Sequence, residues 1–279
     1  MKQRVLVAIV GIPLLLGVLV FAPDWATMVL LYGLSVVGAH ELLAAVCGGE
    51  KAKRLTGLAG AMGVFAVTSV YWRHIRFADT ALPALGKFFL TALIVLVFVY
   101  AVVEYGTDHA INFTDICTVF VAGLVIPLAL GALLRLRMLP YGGGMVLIPL
   151  VAAFCSDSAA LFAGMACGKH KLAPHVSPKK TVEGAIGGLV GGMAGMVIFR
   201  IIFTLCTTQQ LHIGWCVLLG LVGAAMGQLG DLSFSLVKRQ QGIKDYGRLL
   251  PGHGGVLDRF DSVIFAAPVV WLILSHVTL

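Results

Sequence analysis

The chain has 279 residues, 59% of them hydrophobic and only 12% charged, with a formal net charge of +7. A soluble domain carries about 25% charged residues, so this composition excludes an ordinary soluble enzyme. The basic residues stand between apolar segments, which suits cytoplasmic loops beside anionic lipid and argues against a nucleic-acid surface. The cysteines (Cys47, Cys117, Cys155, Cys167, Cys206, Cys216) form no CxxC pair. That argues against zinc or dithiol chemistry and leaves them as small apolar packing residues.

A spanning helix needs ~20 mostly apolar residues. By that measure the fold class is all-α integral membrane, a polytopic bundle of about nine transmembrane helices. They are expected at 5–22, 26–47, 56–72, 83–104, 112–134, 142–166, 184–206, 211–236 and 262–278. The organisation is one continuous membrane domain, with N-terminal helices over 1–140 and a catalytic region over 141–279. The run 5–22 is longer than a signal-peptide core and lacks a small-x-small cleavage site, so it reads as a retained helix.

Taken in order, the first five segments carry little chemistry. Pro13 and Pro127 are expected to kink the first and fifth. His40 and Glu41 interrupt the second. Glu41 either lines a water-filled cavity or pairs with a buried base such as Arg200, and a lone His40 reads as a satisfied packing residue. Tyr71, Trp72, Phe77 and Tyr141 fall where interfacial aromatic belts form.

With a cytoplasmic N-terminus, one face collects Lys2, Arg4, Lys51, Lys53, Arg54, Lys169, Lys171, Lys179, Lys180, Lys238, Arg239, Lys244, Arg248 and Arg259. The other has Arg73, Arg76, Arg135 and Arg137. This asymmetry obeys the positive-inside rule and puts the two most polar stretches, 168–183 and 235–261, on the cytoplasmic face.

The sixth segment holds Asp157 well inside its apolar run. The loop that follows, 168–183, combines Lys169, Lys171, Lys179 and Lys180 with Ser177 and Thr181. Four lysines alone read as a positive-inside anchor. The order Ser-Pro-Lys-Lys-Thr-x-Glu, with Thr181 placed to start the seventh helix, favours a polyphosphate site. Gly164-x-x-x-Gly168-Lys169 lacks P-loop spacing. In the seventh segment, Gly184, Gly188 and Gly192 and, in parallel, Gly187, Gly191 and Gly195 predict close helix packing.

Asp231 in the eighth segment is followed by Ser235 and Lys238 at i+4 and i+7, all on one helical face. The stretch 235–261 then gathers Lys238, Arg239, Lys244, Asp245, Arg248, His253, Asp258, Arg259 and Asp261, broken by glycines and Pro251, and reads as a loop between two apolar segments. Carboxylates of this kind suit Mg2+ or Mn2+, with phosphate oxygens and water completing the shell. The alternative is that the acids only pair with neighbouring bases. Residues alone lead to a membrane enzyme acting on phosphates with a divalent metal.

The run Ser235, Lys238, Arg239, Lys244, Asp245, Gly247, Pro251, Gly252, His253, Gly254, Gly255, Asp258, Arg259 and Asp261 resembles, without a gap, the signature of the phosphatidate cytidylyltransferase (CDP-diacylglycerol synthase) family. The runs 168–174 and 177–184 are similar to a second motif of that family. Leu161 departs from it, standing where an aromatic is expected.

The resemblance implies condensation of CTP with phosphatidic acid to CDP-diacylglycerol and pyrophosphate. It implies a metal pair at Asp231 and Asp258, with Asp261 and Ser235 contributing, Mg2+ as cofactor, and room for a second cation such as K+. Lys238 and Arg239 are expected at the catalytic phosphates, and His253 either positions a phosphate or holds a turn. Lys179, Lys180, Ser177, Thr181, Lys244, Arg259 and Asp157 are expected to line the substrate site. Gly252, Gly254 and Gly255 would bring backbone N–H groups close to phosphate.

The expected partners are CTP, phosphatidic acid and membrane lipids, with no nucleic acid and a homodimer left open. The expected location is the bacterial inner (cell) membrane, with the site facing the cytoplasm. Two rivals are a CTP-dependent membrane lipid kinase, which would release CDP, and a transporter, for which no internal repeat is visible.

Overall fold

A computed structural model describes residues 2–72, 81–207, 209–249, 252 and 254–276. Arg73, Arg76, Phe77, Pro251 and His253 lie outside them. The helices are α1 (Lys2–Val20), α2 (Asp24–Cys47), α3 (Gly49–Trp72), α4 (Ala81–Val103), α5 (Phe113–Arg137), α6 (Gly142–Cys167), α7 (Val182–Thr207), α8 (Ile213–Gln240) and α9 (Leu257–Leu274). Each expected segment is a helix. Seven of them, α2 to α8, are long and apolar enough to cross a membrane. In α9 the first turns carry Asp258, Arg259 and Asp261, which dilute its apolar run. This is an all-α polytopic membrane protein.

The largest boundary differences are at three helices: α3 begins at Gly49 rather than 56, α8 continues to Gln240 rather than 236, and α9 begins at Leu257 rather than 262, so Lys51, Lys53, Arg54, Arg239, Asp258 and Asp261 are helical residues. The stretch 168–183 also contains an antiparallel pair, β1 (Lys171–Ala173) and β2 (Ser177–Thr181), with Lys171 opposite Thr181 and Ala173 opposite Ser177.

The chain forms two compact units. The first comprises Met1–Met138 and Asp245–Arg259; the second comprises Leu139–Lys244 and Phe260–Leu279. In the first, α2, α3 and α5 pack around Leu31, Leu43, Leu55, Met62, Ile126, Leu130 and Leu133, all fully buried. Glycine makes the approach close: a Cβ at Gly63 would stand 3.0 Å from Pro127 Cγ and 3.3 Å from Ser35 Cβ.

Within α5, Pro127 is preceded by a π turn over Val121–Val125. Proline has no N–H to donate and its ring crowds the preceding turn, and a wider turn relieves both conflicts. α1 remains helical through Pro13. α4 turns Phe88, Val95, Phe98 and Val102 outward, the face that lipid solvates. One end of α5 is fixed by a reciprocal cap between Asn112 and Asp115, with Lys51 Nζ 3.0 Å from Asp115 Oδ2. At the other end, Arg137 donates to the Ala22 carbonyl at 2.8 Å and stands 3.5 Å from Asp24.

In the second unit α7 is the central helix, and its glycines explain why. Gly187, Gly191 and Gly195 face Ala163, Ala159 and Cys155 of α6, so close that a Cβ on any of them would collide. Gly188 and Gly192 are equally tight against Gln228 and Ala224 of α8. The expected small-residue packing is therefore present on two faces of one helix, joining three helices. Gln228 adds a polar link, donating from Nε2 to Ser156 Oγ (3.1 Å) and to the Ala185 carbonyl (3.0 Å). The Arg200 guanidinium is engaged locally, with Nε 2.6 Å from the Leu211 carbonyl.

Candidate active site

The β-hairpin is anchored at the start of α7. Thr181 Oγ1 accepts the Gly184 N–H at 3.1 Å and so caps α7, as the spacing predicted. Its side chain fits among Gly164, Gly168 and Gly184, where larger residues would collide with it. Glu183, in the first turn of α7, accepts the backbone N–H of Lys169 (3.1 Å) and of His170 (3.2 Å), and the His170 ring meets it at 2.6 Å. A helix N-terminus favours this negative charge. Together Thr181 and Glu183 clamp both ends of the hairpin, and this directs Lys179 and Lys180 along one strand.

Between the hairpin, α6, α7 and α8 lies a cavity of about 400 Å³. Its lining combines polar side chains (Asp157, Lys179, Lys180, Thr181, Gln228 and Asp231) with apolar ones (Leu161, Met165 and Leu172). Lys180 Nζ pairs with Asp231 Oδ2 at 2.5 Å, and the Ser235 hydroxyl donates to Asp231 Oδ1 at 3.2 Å. The i+4 relation read from the sequence is therefore a real contact.

Asp261 and Lys238 are both buried in this unit. Asp261 Oδ1 accepts the Ser262 N–H at 2.7 Å. Burying a lone charge is costly, so the pairing of Lys180 with Asp231 eases the partial burial of both.

Other expected contacts divide. Arg239 spends its guanidinium on carbonyls, Nε to Val176 and Nη1 to Ile243, both at 3.2 Å, which ties α8 to the hairpin turn. Ser177 sits at the start of β2 and does not line the cavity. Lys244 and Arg259 are exposed. Leu161, at the departure from the family pattern, is 60% exposed and lines the cavity.

The first unit holds Asp258. Its Oδ2 accepts the N–H groups of Tyr246 (2.8 Å) and Gly255 (2.9 Å). Gly254 has φ +83°, and a Cβ there would stand 2.8 Å from Asp258 Oδ2. The next two N–H groups, of Val256 and Leu257, go to Glu41 Oε1 and Oε2, both at 2.9 Å. The expectation for Glu41 is thereby corrected: it neither pairs with Arg200 nor lines open space, but is buried as a cap for α9. The N–H of Gly255 is donated to Asp258. Each such charge-assisted bond contributes roughly 1.5–3 kcal/mol. His40 is satisfied at 3.1 Å by Thr56.

Among the described residues, no three His, Cys, Asp or Glu side chains converge as a ready-made metal cage. The donors around Asp231 are nonetheless hard oxygens, its own carboxylate and the Ser235 hydroxyl. Mg2+ is commonly held by one or two carboxylates, with phosphates and water supplying the rest, so this donor set fits it. Gln228 and Glu183 are the structural residues to which sequence reasoning gave no role. A lone amide inside an apolar helix and an acid three residues beyond a β-strand lysine were the signals.

The profile of the cytidylyltransferase family matches residues 2–277. A phosphatidate cytidylyltransferase of Bacillus subtilis is 31% identical, covering 99% of this chain and 98% of the relative. One from Staphylococcus haemolyticus is 31% identical over 98% of this chain and 99% of the relative. One from Pseudomonas aeruginosa is 37% identical over 96% of this chain and 95% of the relative. With the profile spanning nearly every residue and these relatives matching end to end, the chain belongs to the cytidylyltransferase family.

Proposed function

We propose that this chain condenses CTP with phosphatidic acid, releasing pyrophosphate and forming CDP-diacylglycerol. The observation that carries the reading is the cavity of the second unit, whose lining brings Lys179, Lys180, Asp157 and Asp231 together with Leu161, Met165 and Leu172. A lipid phosphate likewise combines an anionic head with an apolar chain. Full-length relatives bearing the name phosphatidate cytidylyltransferase support the same chemistry.

In this reading a phosphate monoester oxygen of phosphatidate attacks the α-phosphorus of CTP and pyrophosphate leaves. The monoester is already ionised near neutral pH, so no strong general base is required. Lys179, Lys180 and Lys238 bind and orient phosphate oxygens and offset charge that builds up in the transition state. Asp231 and Asp258, with Asp261 and Ser235 contributing, are the proposed holders of Mg2+. When bound, Mg2+ supplies Lewis-acid polarisation of phosphate oxygens and stabilises the leaving pyrophosphate. The role of Asp258 rests on the motif and on its carboxylate chemistry, and a second cation such as K+ is compatible with the same oxygen donors.

The site is proposed to face the cytoplasm, where CTP is dissolved, and the membrane is proposed to be the bacterial inner membrane. The basic hairpin and the basic end of α8 support that orientation. Purified protein given CTP, phosphatidate and Mg2+ tests the proposal: labelled cytidine should enter lipid, and each event should release one pyrophosphate. Release of CDP as the main product would indicate phosphoryl transfer and refute it.

A further inference from the structure

Glu41 is the one acidic residue within α2 beyond its first turn, and it is buried. Its two carboxylate oxygens meet the N–H groups of Val256 and Leu257, where α9 begins. Val256 has no side-chain acceptor of its own, so the helix start would otherwise leave buried donors unpaired. The fit is close on a second side. A Cβ at Gly247 would come within 2.5 Å of Glu41 Oε1, and a Cβ at Gly255 would collide with both oxygens.

Those two glycines belong to the motif stretch, and their lack of a side chain is explained by a carboxylate more than 200 positions earlier in the chain. Asp258 is held by the neighbouring N–H groups of Tyr246 and Gly255. Two carboxylates thus divide four anchoring N–H groups of one loop, and one of the two is the proposed metal ligand.

We propose that Glu41 is a positioning residue: through Val256 and Leu257 it fixes the start of α9 and thereby the carboxylate of Asp258. The part concerning catalysis rests on the function proposed above. The N-terminal helices then do more than anchor the chain in the membrane, because α2 supplies a strut for the C-terminal motif. A displacement of about 1 Å in a reacting geometry lowers rate by roughly a hundredfold, so the effect should appear in kcat.

The test combines residue-resolved amide exchange with steady-state kinetics on the full chain in detergent, using CTP, phosphatidate and Mg2+. In the wild type, the Val256 and Leu257 amides should exchange far more slowly than that of exposed Leu249. Comparable rates would show that the clamp does not exist, whatever any variant does.

Glu41→Gln places an amide NH2 against one of the two donors. It should speed exchange at 246 and 255–257 by about tenfold or more, leave α3 amides unchanged, and lower kcat more than it changes KM for CTP. It should also raise the Mg2+ concentration needed for half-maximal rate, and Glu41→Asp, which keeps both acceptors, should recover part of the loss. Faster exchange with unchanged kcat would overturn the positioning role, as would lost turnover with an unchanged exchange pattern. If the wild type incorporates no cytidine into lipid, the proposed reaction fails while the exchange pattern still decides the clamp.

Discussion

Lys180 Nζ lies 2.5 Å from Asp231 Oδ2, linking the second strand of the hairpin to α8 at the edge of the cavity. Both side chains are 28% exposed, so solvent screens the pair and its share of stability is at most about 1 kcal/mol. Its importance lies in arrangement. The ammonium offsets the charge of Asp231 and, in the proposed reaction, would meet a phosphate oxygen.

Replacing Lys180 with Ala should therefore leave thermal stability nearly unchanged. It should lower kcat/KM for CTP by about a hundredfold, the usual consequence of removing one charge-stabilising donor. Steady-state rates and a melting curve on the same sample check both halves.

Asp231→Asn and Asp258→Asn should each reduce cytidine incorporation by roughly a thousandfold or more, because a neutral amide is a weak ligand for a hard cation and the proposed metal would supply several kcal/mol of charge stabilisation. Size-exclusion profiles should match the wild type. Activity within about tenfold of wild type in either variant would contradict its metal role.

Helix contact in the second unit makes a sharper structural prediction. Gly191→Ala drives a methyl into Ala159 and should destabilise by about 1–3 kcal/mol, the usual penalty of overpacking. A Cβ added at Gly57 would meet nothing within 4 Å, and Gly57→Ala should be close to neutral. Thermal unfolding of the two variants in one detergent makes the comparison.

The Thr181 cap predicts a hydroxyl dependence. Thr181→Val keeps the shape but loses the bond to the Gly184 N–H and should cost about 1 kcal/mol. Thr181→Ser should restore most of it, as read by thermal unfolding.

What is legible in the sequence follows from the range of each interaction. Apolar runs locate all nine helices among the described residues, since hydropathy is a local property. The four-residue glycine period of α7 foretells its packing for the same reason. The i+4 contact of Asp231 with Ser235 is legible because both lie on one helix. The hairpin is not, because strands of three and five residues rich in lysine and proline show no alternation of apolar and polar positions. Glu41 stands out as an unusual acid in an apolar helix, but its partners do not, because they are backbone N–H groups and any residue except proline provides one. Nor can residue types alone reveal that Asp245–Arg259 packs with the N-terminal helices.

The central claim is nucleotidyl transfer to a lipid phosphate, and one measurement addresses it directly. Purified protein is incubated with phosphatidate and CTP labelled at the α-phosphate, with Mg2+ and, separately, with excess EDTA. The account predicts label in the lipid fraction matched one to one by pyrophosphate, and none of either with EDTA. Label recovered as CDP, or lipid labelling that persists undiminished in EDTA, would contradict it.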